Sequence, residues 1–136
     1  MKILLDSNVL LYVMDKNSKY HNISVSILEN SKYELFVSTK NISEIIAVSS
    51  KIKIDKSKVL NFIKKVVLEV SSLIYPNSQS FDKFLQIIEK YNIKGNETYD
   101  MEIASIMLTN NINTIATFNH KDFAEIDEIE ILEDCL

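Results

Sequence analysis

The sequence contains one cysteine, one glycine and one proline, and all fifteen of its basic residues are lysines. The lone Cys135 excludes a disulfide within the chain and favours a reducing compartment. Gly95, the only glycine, excludes both a P-loop and a GxGxxG dinucleotide turn, because each needs several glycines close to phosphate. The absence of arginine excludes bidentate phosphate forks, so anion recognition must use lysine, backbone donors or metal.

Long apolar runs are also missing. The segment between Lys2 and Asp6 holds three apolar residues, too few for a signal-peptide core, and no later run reaches the length of a membrane span. We therefore expect a cytoplasmic protein without membrane contact. The 136 residues, 46% of them apolar, predict a single domain, 1–136, with a core of its own.

Charge is unevenly distributed along the chain. The net charge of −4 argues against a partner bound through a global positive field. Seven lysines lie between residues 40 and 65, whereas the chain after Lys121 carries seven acids and no base. The lysine-rich half is suited to following a phosphate backbone, and solvated helix faces explain it at least as well.

Hydrophobic periodicity predicts alternating strands and helices. Short apolar or β-branched runs predict strands at 3–5, 35–38, 71–75, 113–117 and 128–132. Helical spacing predicts helices at 7–14, 22–30, after Asn41, and at 57–70, 80–91 and 99–109. This alternation predicts an α/β fold with a parallel sheet joined by right-handed crossovers.

Polar side chains follow the predicted strands at several points. Asp6 and Glu44 follow the first two strands, the turn from Asn119 to Asp122 follows the fourth, and Asp100 opens the helix before it. Each acid also has a structural explanation. Asp6 is a good helix N-cap, Asn41 with Glu44 resembles a capping box, and Asp100 in the first turn of a helix, with Thr98 as its cap, is favoured by the helix dipole.

Capping does not explain why these acids occur together. In a parallel sheet they are able to converge at one edge, where several carboxylates repel each other unless a divalent cation is present. Oxygen ligands without a His or Cys cluster favour Mg²⁺ or Mn²⁺ over zinc. His21 and His120 lack metal-ligand spacing and are interpreted as surface residues, and His120 is also a weaker candidate for substrate contact.

Four motifs carry a family resemblance. They are LLDSNVLLY around Asp6, SEI around Glu44, YDMEIAS around Asp100, and IATFNHKDF from Ile115 to Phe123. Together they resemble the PIN-domain ribonucleases, especially the VapC type of toxin, in the same order and over nearly the whole chain. The resemblance implies a three-layer α/β sandwich, with about five parallel strands and helices on both faces of the sheet.

The resemblance also implies roles for individual residues. It assigns metal-ligand roles to Asp6, Glu44 and Asp100, and places Asn119 where the family has an acid or an asparagine; Asp122 is a candidate to assist through water. Ser7, Asn8 and Thr117 match polar positions that orient such ligands. The implied activity is Mg²⁺- or Mn²⁺-dependent hydrolysis of RNA, with Lys40, Lys51 or Lys121 holding the backbone.

Two other functions are alternative hypotheses for this sequence. Asn119 and the lack of arginine are compatible with a PIN-fold module that processes or binds RNA, or binds a protein, with weak or no catalysis. A receiver-like domain needs an acid after the third strand, where this chain has Tyr75, Pro76 and Asn77. The toxin resemblance further implies a small antitoxin partner and a homodimer, for which the apolar faces at 23–28 and 59–67 are candidates, although core packing explains most of them.

Overall fold

A five-stranded parallel sheet forms the centre of the protein. The computed structural model describes residues 1–136. The strands are β1 (Lys2–Leu5), β2 (Glu34–Ser38), β3 (Ser71–Ile74), β4 (Thr114–Ala116) and β5 (Glu130–Ile131). Their order across the sheet is β3-β2-β1-β4-β5, and every neighbouring pair is parallel. The α/β class and all five predicted strands are confirmed.

Helices cover both faces of the sheet. They are α1 (Ser7–Met14), α2 (His21–Glu29), α3 (Thr39–Lys51), α4 (Lys56–Phe62), α5 (Leu68–Val70), α6 (Ser78–Lys90) and α7 (Glu97–Thr109). A π-helical turn at Ile63–Val67 joins α4 to α5, so the helix predicted at 57–70 is one continuous segment with a widened turn. None of these helices has the length and apolarity needed to cross a bilayer.

Two hydrophobic cores lie on opposite faces of the sheet. Ile3 and Leu5 point into the first core, with α1 to α4, whereas Leu4 points into the second core, with α6 and α7. These three side chains of β1 are fully buried, as predicted for a central strand covered on both sides. The apolar face predicted at 59–67 is used in the first core through Val59, Phe62, Ile63 and Val67.

Two helix starts differ from the predictions. Ser38, not Asn41, caps α3, and its capping-box partner is Asn41 rather than Glu44. The reason is that β2 ends at Ser38, so the helix begins at Thr39 and its third residue is Asn41. The predicted Thr98 cap is also wrong, because α7 begins at Glu97 after Asn96, which has helical backbone angles and no capping hydrogen bond.

The order of the strands determines where a ligand is expected to bind. From β1 the chain goes first to β2 and β3 on one side of the sheet, and later to β4 and β5 on the other. In open parallel sheets, ligands bind where the order reverses in this way, beyond the carboxyl ends of the strands. Here that point lies between β1 and β4, at Asp6 and Thr117.

Candidate active site

Asp6 is the most firmly held carboxylate of the protein. It follows β1, acts as the N-cap of α1, and is only 5% exposed. The structure surrounds its two oxygens with donors from three parts of the chain. These are the Ser7 amide at 2.8 Å, the Asn8 side-chain amide at 2.9 Å, the Thr117 hydroxyl at 2.7 Å and the Asn41 side-chain amide at 3.3 Å. The N-cap explanation is therefore correct, and it accounts for one of these contacts.

The donors to Asp6 are themselves tied to the loop after β4. The Asn8 side chain donates to the Thr117 hydroxyl at 3.0 Å and accepts from the Phe118 amide at 3.0 Å. The Asn119 amide in turn donates to the Thr117 hydroxyl at 3.1 Å. Because Asn8 and Thr117 are buried, this network fixes the Asp6 carboxylate and the start of the loop as one unit.

Asn41 is a site residue that the sequence analysis did not identify. It is fully buried, and its side chain connects the Ser38 cap with Asp6, to which its amide group donates. The available signal was the spacing Ser38-x-x-Asn41 directly after a strand, which is the same three-residue spacing as Asn41-x-x-Glu44. The Asn41–Glu44 pair was predicted to form the capping box, and the role of the Ser38–Asn41 pair was therefore missed.

Glu44 is not used as a helix cap. It lies one turn further along α3, is exposed, and accepts a hydrogen bond from the Ser7 hydroxyl. Ser7 therefore connects the first two predicted acids, since its amide bonds to Asp6 and its hydroxyl to Glu44. These contacts place Glu44 beside the buried network, at its solvent side.

The remaining acids approach from other elements. Asp100 lies in the first turn of α7 and is half-buried. Burial, followed by the negative charges of Asp122, Asp6 and Glu44, raises the pKa of Asp100 from its ordinary 3.8 to about 7. Burial and the charge of Glu44 likewise raise the pKa of Asp122, in the short 3₁₀ turn at His120–Asp122. The charge of Glu44 contributes to the raised pKa of Asp6, Asp100 and Asp122, so these acids lie near enough to repel one another.

Burial is also the main cause of the altered pKa of Asp6. It raises the pKa from 3.8 to about 6, against the opposing effect of the hydrogen bonds from Thr117 and Ser7. The charges of Glu44 and Asp122 raise it further. Hydrogen bonding therefore does not offset the loss of hydration and the repulsion, and the ionised site is short of positive charge.

No lysine supplies that charge. The three salt bridges of the protein join Lys40 to Glu102, Lys83 to Glu128 and Lys90 to Asp127, and none includes Asp6, Glu44, Asp100 or Asp122. The structure does not bring three acidic or histidine side chains into a ready-made ion cage either. This donor set fits Mg²⁺, which typically keeps several waters and binds proteins through one or two carboxylates.

An open cleft of about 640 Å³ lies between α3 and the start of α7 and borders two of the four acids. Glu44 and Asp100 line it together with Lys40, Lys51 and Tyr99. Asn119 lies outside this lining and is exposed. Lys121 is exposed too, and it lines a separate pocket with Asp122 and Glu97. Of the three candidate lysines, two therefore border the cleft, and Lys40 is already paired with Glu102 at 3.0 Å.

The two histidines are not the free surface residues that the sequence analysis expected. Each is half-buried and has one ring nitrogen at a backbone carbonyl, His21 Nδ1 at Tyr12 (2.9 Å) and His120 Nε2 at Cys135 (2.7 Å). His120 thereby attaches the loop after β4 to the C-terminal 3₁₀ turn. No residue pattern indicates these contacts, because both acceptors are main-chain atoms.

Comparisons with known proteins agree with this geometry. The family model of the PIN domain matches residues 3–129. A search of curated proteins finds no match.

Solved structures resemble the chain over its whole length. VapBC-1 from nontypeable Haemophilus influenzae is 21% identical with a TM-score of 0.76, and the match covers 100% of both chains. VapBC2 from Rickettsia felis, bound to a DNA fragment from its promoter, is 20% identical with a TM-score of 0.76 over 97% of this chain and 98% of the other. VapC20 from Mycobacterium tuberculosis, a toxin that cleaves the sarcin-ricin loop, is 8% identical with a TM-score of 0.73 over 90% and 93%. At such identities the likeness establishes the fold.

Proposed function

This chain belongs to the PIN-domain family, and from that premise we propose that it is a metal-dependent endoribonuclease acting as the toxin of a toxin–antitoxin pair. The substrate is RNA, and the reaction is hydrolysis of a phosphodiester bond at the acidic cleft. Among the proteins of similar fold, VapC20 is a toxin that cleaves the sarcin-ricin loop, and this supports a nuclease activity for the present chain.

The observation that carries the proposal is the uncompensated charge of the site. Four carboxylates from four elements repel one another, and no lysine is within salt-bridge distance of any of them. A fold gains nothing in stability from such an arrangement unless a cation binds there. Oxygen donors alone select a hard ion, Mg²⁺ or Mn²⁺.

The residues of the site have different proposed roles. Asp6, Glu44 and Asp100 would hold the ion, with Asn119 at its edge and Asp122 acting through water. Ser7, Asn8, Asn41 and Thr117 keep the Asp6 carboxylate in one orientation. When bound, Mg²⁺ or Mn²⁺ supplies a Lewis acid that lowers the pKa of water and offsets charge on the phosphoryl oxygens. Lys51 at the cleft would hold the RNA backbone.

An RNA cleavage assay with purified protein tests this function. We expect cleavage in Mg²⁺ or Mn²⁺, none in chelator, and a loss of at least about a hundredfold in Asp6→Asn and Asp100→Asn proteins, since even groups that only orient metal ligands commonly contribute ten- to a hundredfold. Glu89→Gln is a matched control, because Glu89 is an exposed acid on α6. Equal cleavage in chelator, or full activity of both aspartate variants, would rule out the proposed function.

A binding module with weak or no catalysis is the second candidate, and one observation favours it. No three acidic side chains stand together as a preformed ion cage. Such a module would bind RNA without saturable binding of Mn²⁺ at the acidic cluster. Metal titration therefore separates the two candidates without an RNA substrate.

An antitoxin would need a route to the acids, and the fold offers one. A groove of about 390 Å³ runs between α1 and the end of α3, lined mainly by apolar side chains such as Leu11, Met14 and Ile52. It also reaches Asn8, a member of the Asp6 network. We expect an apolar segment of a small antitoxin to occupy this groove. Binding of the product of an adjacent short reading frame to wild-type protein, but not to Met14→Glu protein, would support this.

The proposed homodimer has a better candidate surface than those considered from the sequence. Ile27 and most of the 59–67 face are buried in the core, whereas Ile23 on the 23–28 face is 39% exposed. Phe81 and Leu85, four residues apart on α6, are 59% and 45% exposed. Such neighbouring exposed apolar side chains favour a subunit contact. Light scattering should give twice the chain mass, and a monomer mass at micromolar concentration would contradict the dimer.

A further inference from the structure

Tyr99 is exceptional among the six tyrosines of the chain. It is 64% exposed, in the first turn of α7 directly before Asp100. Four other tyrosines have a hydroxyl or ring partner. Tyr33 and Tyr91 make hydrogen bonds through their hydroxyls, and Tyr12 and Tyr20 pack against each other and Phe118. Tyr99 and Tyr75 have neither kind of contact, so their rings contribute little to the fold.

The position of Tyr99 distinguishes it from Tyr75. Tyr75 is 60% exposed just beyond β3 and does not line the acidic cleft. Tyr99 lines that cleft together with Glu44 and Asp100, and its backbone amide is anchored to the Asn96 carbonyl at 3.1 Å. The buried face of α7 is formed by other residues, including Met101 and Ile103. An aromatic ring is thus held in solvent at the border of the site.

A single-stranded RNA presents two chemical features to such a cleft. Its phosphates bind cations such as lysine side chains. Lys51, which also lines the cleft, is exposed and has no salt-bridge partner. The unstacked bases of the RNA stack on flat aromatic side chains. One open cleft thus combines an unpaired lysine, a tyrosine ring without packing partners and the acids Glu44 and Asp100, which suits a single-stranded RNA better than a purely apolar partner segment.

We propose that Tyr99 is the surface on which one nucleobase of the substrate stacks, and that this contact selects unpaired RNA beside the acidic cluster. The inference rests on the proposed function and adds to it a residue that determines substrate choice. Stacking on the ring does not require the phenol hydroxyl. Phenylalanine should therefore replace Tyr99 without loss, whereas alanine should not.

Binding of RNA in chelator tests the inference separately from cleavage. The probe is a fluorescein-labelled, randomised single-stranded RNA oligonucleotide, and fluorescence anisotropy gives the dissociation constant. We expect Tyr99→Ala to weaken binding about tenfold, as is typical for loss of one base–aromatic stack. Tyr99→Phe and the matched control Tyr75→Ala should bind within about twofold of wild type, because each keeps the ring at position 99.

A strand of the same length without bases completes the test. Wild-type and Tyr99→Ala proteins should bind this abasic strand equally, since only phosphate contacts remain. Equal binding of normal RNA by these two proteins would overturn the inference, including the case in which Tyr99 serves a protein partner instead. The inference would also be overturned if Tyr99→Ala weakened binding of the abasic strand as much as binding of normal RNA, or if the wild-type protein bound no RNA. Wild-type RNA binding without Mn²⁺-dependent cleavage would refute the proposed function and leave this inference standing.

Discussion

The two sides of the acidic site are built in opposite ways. On the sheet side, Asp6 is buried and receives four donors from α1, α3 and the end of β4. On the helix side, Asp100 is half-exposed in the first turn of α7, and no donor holds its carboxylate. Even so, burial raises the pKa of both acids, with the neighbouring acids contributing to each.

This difference shows how one fold can combine rigidity with access. A fixed carboxylate sets the position of a bound ion, whereas a free one can adjust to the ion and its waters. The donors around Asp6 are hydrogen-bonded to one another as well as to the carboxylate, so these residues act together. Substitutions on the sheet side should therefore affect stability and metal affinity at once, and those on the helix side mainly metal affinity.

The pH dependence of stability without metal is the largest effect that we expect from this comparison. The pKa of Asp6 is about 6 in the folded protein against 3.8 ordinarily, so its protonated form favours folding. That stabilisation is complete below about pH 4 and is lost as the pH rises through about 6, at a cost of about 3 kcal/mol. Asp100 acts in the same direction up to about pH 7. Urea denaturation in chelator at a series of pH values measures the decrease.

Two controls sharpen this experiment. In Asp100→Asn protein the part of the decrease nearest pH 7 should disappear, while the part due to Asp6 persists. Saturating Mn²⁺ should reduce the pH dependence in wild type, because the ion stabilises the ionised acids. A free energy of unfolding that is constant or rises between about pH 5 and pH 7 in chelator would contradict the raised pKa values.

We expect the next largest effect on stability and metal binding from removal of the Thr117 hydroxyl. Thr117→Val deprives Asp6 of its shortest donor, removes one of the two acceptors of the Asn8 side-chain amide, and leaves the Asn119 amide without an acceptor. We expect a loss of about 2 kcal/mol in the free energy of unfolding, and about tenfold weaker Mn²⁺ binding.

Thr109→Val is the matched control for that variant. The Thr109 hydroxyl is half-buried and donates to the Ser105 carbonyl within α7. Its loss should change stability by only about 0.5 kcal/mol and leave Mn²⁺ binding unaltered. Similar losses in both variants would show that the network around Asp6 is no more cooperative than an ordinary helix contact.

Sequence reasoning succeeded where hydrophobic periodicity was strong. Ile3, Leu4 and Leu5 identified the central strand, and the alternation of elements identified the parallel sheet. Periodicity does not reveal which of two overlapping capping pairs is formed, because Ser38–Asn41 and Asn41–Glu44 have the same spacing. The choice depends on where β2 ends, which tertiary pairing with β1 and β3 decides.

Sequence reasoning named the acids and three of the four residues that donate to Asp6, namely Ser7, Asn8 and Thr117, but it missed Asn41. Asp6, Glu44 and Asp100 could be chosen because carboxylates past strand ends are chemically informative. Asn41 could not, since its value lies in a contact with Asp6 across 35 residues of chain. The exposure of Tyr99 was equally hidden, because position 99 was assigned to a helix and not to a face of it.

Calorimetric titration of Mn²⁺ into the purified protein tests the central claim most directly. Near pH 6.5 the wild type should bind the ion saturably and release protons, because Asp6 and Asp100 are partly protonated beforehand. Asp100→Asn should bind far more weakly, while Glu89→Gln should match the wild type. If the wild type shows no saturable binding, or if Asp100→Asn binds as tightly, the acids at this edge of the sheet do not form a metal site.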